Sequence, residues 1–531
     1  MAEWVALENL EQNEGWERGT SGRTVPSWFA EAGPLGFQKL DTDVTADVAI
    51  VGAGVTGITV AYFLAKAGRK AVVLDDGNVG SGETGRTTAH ISHVLDDRYY
   101  RIEKIHGRKT ATLVAESHTA AISRIESIVH EEKIDCDFER LDGYLFLDPT
   151  DKIESLDEEL RSTHSVGILG TEFLERAPLP SFDTGPCLRF PNQAQFHPLK
   201  YLLGLARATQ RYGGRIYTDT HVQKVSSTGV RTAQGKKVRA GKIVVATNAP
   251  IVDEIGKIYQ KQRPFRSYVI AAKVEKGSVP KALYWDTGDQ KSKEGVQPYH
   301  YARVQELEND PHDDLLIVGG GDQTTGDSAG TKRTYETLEA WTRSRFPSRG
   351  VVYRWSGQDF DSKDSLAFIG RNPGDKRKNV FVATGSSWNG ITYGTIAGIV
   401  LSDMILGKEN AWARVYNPAR RIMTRSSIPE PKESPKPRKL ELESALRRAK
   451  KLSNGQGMVF EIRRKGPMAF YRNDDGGLLS FSASCTHEGC TVTWNESERS
   501  FDCSCHGSRF SYRGKVISTP ANSDLKTVGS L

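Results

Sequence analysis

Within 22 residues near its C-terminal end the chain places Cys485, His487, Cys490, Cys503, Cys505 and His506, in the order C-x-H-x2-C and then C-x-C-H. Two cysteines and two histidines at C-x-H and C-x2-H, separated by 15 residues, suit a metal centre with soft thiolate on one side and imidazole on the other. A Cys2His2 zinc site is the plainer alternative, but it leaves Cys490 and Cys505 without a role. Six cysteines in 531 residues are too few for a disulfide scaffold, so the clustering needs a local explanation. The other two, Cys136 and Cys187, lie far apart and read as ordinary free cysteines.

The texture around this cluster is that of short strands and turns, as in Gly457–Ile462 and Met468–Arg472, which predicts a small all-β domain over 455–531. Ahead of it, residues 421–454 carry four prolines between Pro429 and Pro437 and then a charged helical stretch, read as a stiff solvated connector.

At the other end, Asp47–Val51 reads as a short strand, Val55–Ala67 as a helix with small residues on one face, and Ala71–Leu74 as a second strand. Between the first strand and the helix runs Gly52-Ala53-Gly54-Val55-Thr56-Gly57, a G-x-G-x-x-G turn. Gly52 permits the tight turn, Gly54 admits a pyrophosphate, and Gly57 lets the helix pack on the strand, while the helix N-terminus offers partial positive charge to the phosphates. Asp75, followed by Asp76, stands 18 residues past Gly57, where a carboxylate grips a ribose hydroxyl. A second nucleotide fingerprint is missing: Gly319-Gly320-Gly321 lacks a third spaced glycine and a following apolar helix, and reads as a strand ending in a loop.

Length predicts three or four structural units. Residues 1–45 form an arm expected to pack on the body. With 37% hydrophobic and 26% charged residues, a mean hydropathy of −0.48 and no apolar run near 18 residues, a membrane span is not expected. The start, MAEWVALENLEQNEGWERG, lacks a basic region followed by an apolar one, so a cytoplasmic protein is expected. A net charge of +6 is too small to argue for nucleic acid.

Several further segments follow the acidic pair in order: Gly80 to His90, with Arg86, Thr87, Thr88 and Ala89; Thr220-His221-Val222; Ala246-Thr247-Asn248; and Thr384-Gly385-Ser386-Ser387-Trp388-Asn389-Gly390-Ile391-Thr392. This ordered set, over about 45–415, resembles the FAD-dependent D-amino-acid, glycine and sarcosine oxidase superfamily. The resemblance implies that Arg86 to His90 line the pyrophosphate and flavin, that Val222 meets the adenine through its backbone, and that Gly390, Ile391 and Thr392 start a helix facing the flavin pyrimidine ring. Such a helix N-terminus suits the negative charge that reduction places there.

The C-terminal cluster resembles the Rieske domain. That resemblance implies a [2Fe–2S] cluster held by Cys485 and Cys503 on one iron and His487 and His506 on the other, with Cys490 and Cys505 joined as a disulfide. It also implies a cluster-shielding loop at Pro520 and a hydroxyl donor at Ser508. Phe510 stands where high-potential members have tyrosine, which implies a lower potential.

The fold expected is α/β: a Rossmann-like FAD-binding domain with an interleaved mixed-sheet substrate domain over 46–420, then the all-β domain. A flavin takes two electrons as a hydride and a Rieske cluster carries one. The function expected is therefore oxidation of an amine or amino-acid C–N bond, with electrons passed singly to an external acceptor or partner redox protein. The alternatives are an electron-transfer reductase feeding a partner oxygenase, and a redox sensor without turnover. Strand alternation puts Tyr299, Tyr301 and Arg303 on one face, with Arg303 suited to a substrate carboxylate. Trp388 and Asn389, beside the flavin-facing turn, complete the candidate substrate residues.

Overall fold

The computed structural model describes residues 21–32, 35–251, 257–292, 298–307, 310–327, 331–422 and 438–528. The apolar run at Val44–Val51 forms the strand expected of it, the helix follows at Val55–Lys66, and the second strand at Ala71–Leu74. These two strands lie side by side in parallel within a sheet ordered Phe368–Arg371, Val380–Thr384, Lys237–Val245, Val44–Val51, Ala71–Leu74, Arg215–Tyr217. The central strands are buried on both faces, as parallel strands must be when helices cover them. The helix Gly390–Leu406 packs against Val55–Lys66 with almost no gap. A Cβ at Gly398 would lie 2.3 Å from the Thr59 side chain and one at Gly394 2.6 Å from Val55, so both positions need glycine. That close approach brings two helix N-termini to one edge of the sheet.

A second, mixed sheet is interleaved with the first. It runs Ser348–Ser362, Gln262–Glu275, Asp313–Thr324, Tyr301–Gln305, Leu283–Asp286, Glu139–Phe146, Cys187–Gln195, His90–Ile91. The three glycines Gly319 to Gly321 sit inside the strand Asp313–Thr324 rather than at its end. Their role is spatial: a Cβ on Gly319 would fall 2.1 Å from the Tyr301 ring.

The C-terminal unit consists of two four-stranded sheets, Lys439–Leu440 with Gly457–Ile462, Gly466–Arg472 and Leu478–Ser482, and Thr493–Asn495 with Ser500–Asp502, Arg509–Ser511 and Val516–Ser518. It begins earlier than the sequence suggests. Residues 423–437, including all four prolines of the connector, lie outside the described residues. The charged stretch after them is not connector: the helix Leu442–Ala449 packs Leu442, Ala445, Leu446 and Ala449 on Phe460, Ile462, Met468 and Phe470. Those four positions form an i, i+3, i+4, i+7 stripe, which decides burial whatever the charge of the opposite face.

Candidate active site and metal centre

Between the parallel sheet, the mixed sheet and the C-terminal unit lies a cavity of about 1200 Å³. At one end stand the glycine turn and the tips of the parallel strands. Gly52 takes φ +106 beside Ala246, leaving no room for a Cβ, and Gly57 supports the turn from below, where a Cβ would lie 1.9 Å from the Gly52 carbonyl oxygen. Asp75 is first of all a brace for this turn. Its carboxylate accepts from the Ala53 N–H (2.5 Å) and the Gly77 N–H (2.9 Å), and burial together with neighbouring Asp76 raises it to about 7. Asp76 is exposed at the cavity rim, 3.3 Å from His221 Nδ1.

Of the residues expected to hold the nucleotide, Gly52, Gly54, Val55, Thr56, Asp75, Asp76, Thr87, Thr88, His90, Val222, Ala246, Thr247, Asn248, Gly390 and Ile391 all border the cavity. Gly57, Ala89, Gly385 and Thr392 stand behind its wall: Ala89 is fully buried, and Thr392, also buried, donates to the Ser92 carbonyl. Arg86 borders the cavity, but its guanidinium serves the domain interface, donating to the Ser356 carbonyl (2.5 Å) and pairing with Glu498 (2.9 Å). The main chain of the loop is held by two indoles, Trp28 Nε1 donating to Thr87 O and Trp355 Nε1 to Arg86 O.

At the other end the mixed sheet supplies Ser267, Trp285, Tyr301 and Asp359, with Tyr299 from the segment just before Tyr301, and Asp96, Trp388 and Asn389 border the same space. Tyr301 Oη bonds Ser267 Oγ at 2.8 Å, and the Tyr299 and Tyr301 rings lie 5.3 Å apart. His90 packs edge-on against Tyr301, and burial, with the nearby Arg303 charge, lowers it to about 3, so it is neutral. Asn389 donates to Asp96 at 3.1 Å; burial raises Asp96 to about 7 in spite of Arg98. Asp359 accepts from Ser386 Oγ (2.5 Å) and from the Trp388 N–H, which holds Trp388 at φ +69. Asp96 escaped the sequence reading, since an Asp-Asp pair after a buried run carries no spacing signature.

Arg303 is not a substrate clamp. It is fully buried behind the cavity, donating to Thr88 O (2.7 Å), Phe196 O (3.2 Å) and Gln305 Oε1 (3.1 Å), with its guanidinium 5.1 Å from the Trp28 ring centroid. Strand alternation does place it on the Tyr301 side, but Trp28 and the loop around Thr88 cover that end of the strand.

The C-terminal residues converge as a metal centre. Cys490 and Cys505 are disulfide-bonded, which leaves Cys485 and Cys503 as free, buried thiols. The rings of His487 and His506 stand perpendicular, 5.0 Å apart, and both Nδ1 atoms are buried without a hydrogen-bond partner. Two thiols and two orphaned imidazole nitrogens are the donor set a [2Fe–2S] cluster of this type needs. Ser508, fully buried, accepts from the Ala521 N–H at 2.9 Å, and Phe510 is likewise buried.

The metal centre faces the body. Tyr259 packs edge-on against both His487 (4.8 Å) and His506 (4.5 Å) and donates to Glu488 at 3.0 Å. Gln358, which borders the cavity, donates through Nε2 to the Gly507 carbonyl at 2.9 Å. Gly507 lies so close to Pro264 and Phe360 that a Cβ would come within 2.7 and 3.0 Å of them. Beside this contact Glu498 is buried among Arg86, Arg266 and Arg509. Burial alone would raise its carboxyl, and the three guanidinium charges outweigh that and bring it to about 2. Neither Gln358 nor Glu498 has a local sequence signature, because the contacts that join the domains, Gln358 to Gly507 and Glu498 to Ser356, span more than 140 residues.

Comparison with known proteins agrees with this geometry. The family model for FAD dependent oxidoreductases matches residues 47–404 and that for the Rieske [2Fe-2S] domain residues 444–529. A Bacillus subtilis (strain 168) protein that carries the name Rieske 2Fe-2S iron-sulfur protein YhfW is 31% identical over 508 residues, covering 94% of this chain and 97% of its own. The gamma-glutamylputrescine oxidoreductase of Escherichia coli (strain K12) is 26% identical over 382 residues, 70% of this chain and 86% of its own. In fold, the glycine oxidase of Geobacillus kaustophilus superposes with a TM-score of 0.56 at 19% identity, over 71% of this chain and 100% of its own. The chain therefore belongs to the FAD-dependent oxidoreductase family of amine and amino-acid oxidases, and joins that domain to a C-terminal Rieske [2Fe–2S] domain.

Proposed function

We propose that this chain oxidises the C–N bond of an amine at the mixed-sheet end of the cavity and exports the electrons one at a time through its Rieske domain to an external acceptor. The observation that carries this reading is the contact between Gln358, on the cavity wall, and Gly507, the residue after cluster ligand His506. When bound, FAD supplies a two-electron acceptor for the C–N bond and the cluster a one-electron carrier. The nucleotide is held by the glycine turn, the Thr87 to His90 loop and the Gly390 helix start, and the cluster by Cys485, Cys503, His487 and His506.

The residues at the sheet end favour an amine over an amino acid. The described residues bordering the cavity there include Asp96 and Asp359 but no lysine or arginine to meet a carboxylate. Asp96 is placed to pair with a cationic substrate group, Tyr299, Tyr301 and Trp388 supply apolar walls, and neutral His90 adds no opposing charge. Loss of a hydride and a further proton from the amine, two electrons and two protons in all, leaves an imine, which water hydrolyses to a carbonyl compound and the released amine. A nicotinamide-fed reductase finds no support, because the triple glycine is a strand packed on Tyr301.

His506→Ala tests the division of labour. Under anaerobic conditions, a panel of primary and secondary amines should still bleach the flavin while reduction of a one-electron acceptor is lost together with the [2Fe–2S] signal. Loss of bleaching with FAD content intact would place the cluster in the substrate site and overturn the relay.

A further inference from the structure

We infer that the FAD site is completed by the Rieske domain, whose strand Val516–Ser518 and following segment wall the adenosine end of the cavity, so that cofactor retention and domain docking are linked. The cavity borders Lys515, Ser518, Thr519, Asn522 and Asp524 as directly as it borders the parallel strands. All of these lie beyond residue 404, where the oxidoreductase family match stops, so the wall is an addition to the family's own site.

The wall is fastened to the backbone that the adenine reading assigns. Asn522 Nδ2 donates to Val222 O (3.2 Å) and Gln223 O (2.9 Å), and Thr519 Oγ1 lies 2.7 Å from Thr247 O and 2.6 Å from Ala249 O, which share its one hydroxyl hydrogen. Side chains of one domain thus satisfy main-chain carbonyls on two loops that frame the nucleotide in the other. A dinucleotide seated here would touch both domains and could leave only when the wall lifts. Linkage makes the effect reciprocal: whatever factor docking adds to FAD affinity, FAD adds to docking.

The test uses the full-length holoprotein carrying Asn522→Ala together with Thr519→Val, with Lys465→Ala, in an exposed turn of the Rieske domain, as the control. FAD release is followed by the rise of free-flavin fluorescence after dilution, and the [2Fe–2S] electron paramagnetic resonance signal per chain reports whether the Rieske domain is folded. The double variant should release FAD about tenfold faster or more with its cluster signal intact, and the control should match the parent. Unchanged release with an intact cluster overturns the inference. If the double variant loses its cluster, a second measurement decides: in parent protein nicked within 423–437, the two halves should dissociate more readily after FAD is stripped. Equal dissociation with and without FAD would overturn the proposal. No substrate enters either readout, so failure here is separate from failure of the proposed reaction.

Discussion

Replacing Glu498 with glutamine should loosen the two domains without dismantling either. The carboxyl sits at about 2 against an ordinary 4.5, a difference of about 2.5 pH units or about 3–4 kcal/mol when each unit is worth about 1.4 kcal/mol; Arg509 supplies part of it within the Rieske domain, which leaves on the order of 3 kcal/mol to Arg86, Arg266 and Ser356 across the interface. Glutamine keeps the shape and one acceptor but leaves Arg86 and Arg266 buried beside one negative charge fewer, a situation that costs about 3–5 kcal/mol in comparable buried pairs. In protein nicked within 423–437, that loss corresponds to an interdomain dissociation constant raised by roughly two decades. Sedimentation of the nicked protein over a dilution series reads it directly, with flavin absorbance marking one half and cluster absorbance the other. The sign of the pH dependence is fixed as well. Because the folded carboxyl is depressed, its stabilisation is complete above about 4.5 and disappears as pH falls toward about 2, so docking in the parent should weaken across that window. In the glutamine variant that dependence should be flat. A variant whose halves stay together as tightly as the parent's would refute the electrostatic account of the interface.

Two further outcomes test the substrate end. Arg303→Met removes donors to three buried acceptors, and should lower unfolding free energy by about 1–3 kcal/mol while leaving KM for the best amine within about twofold; a tenfold KM rise at unchanged stability would restore it as a substrate ligand. Asp96→Asn should raise KM for a cationic amine about tenfold with FAD content unchanged. Since Asp96 is raised to about 7, parent affinity should strengthen as pH rises through that value, and the variant should lose this limb of the profile.

What could be read from the sequence was what neighbouring residues encode. The glycine turn and the Cys/His pattern are local, and the fold sets the first at the tips of the parallel strands and brings the free thiols and imidazoles of the second together. Strand alternation put Arg303 on the Tyr301 side but could not say that Trp28, nearly 300 residues earlier, would cover it. The stretch that forms the helix Leu442–Ala449 was read as helical but as part of the connector; its docking was legible in principle through its apolar stripe, and the charge of its other face hid it. Glu498 lay beyond reach, since its meaning depends on Arg86 and Arg266, contributed by two distant segments, as well as on nearby Arg509.

The Tyr259 ring against both cluster histidines sets a condition on turnover. On the proposed relay each amine would yield two electrons and the cluster would hold one, so the cluster would have to be emptied twice per substrate. Both imidazole rings are half-buried, each with one face or edge against Tyr259. The described part of the ligand loop left open to solvent is the tip at Glu488 and Gly489. On the proposed relay, a one-electron acceptor would meet the docked ligand loop at that tip, beside the single carboxylate of Glu488.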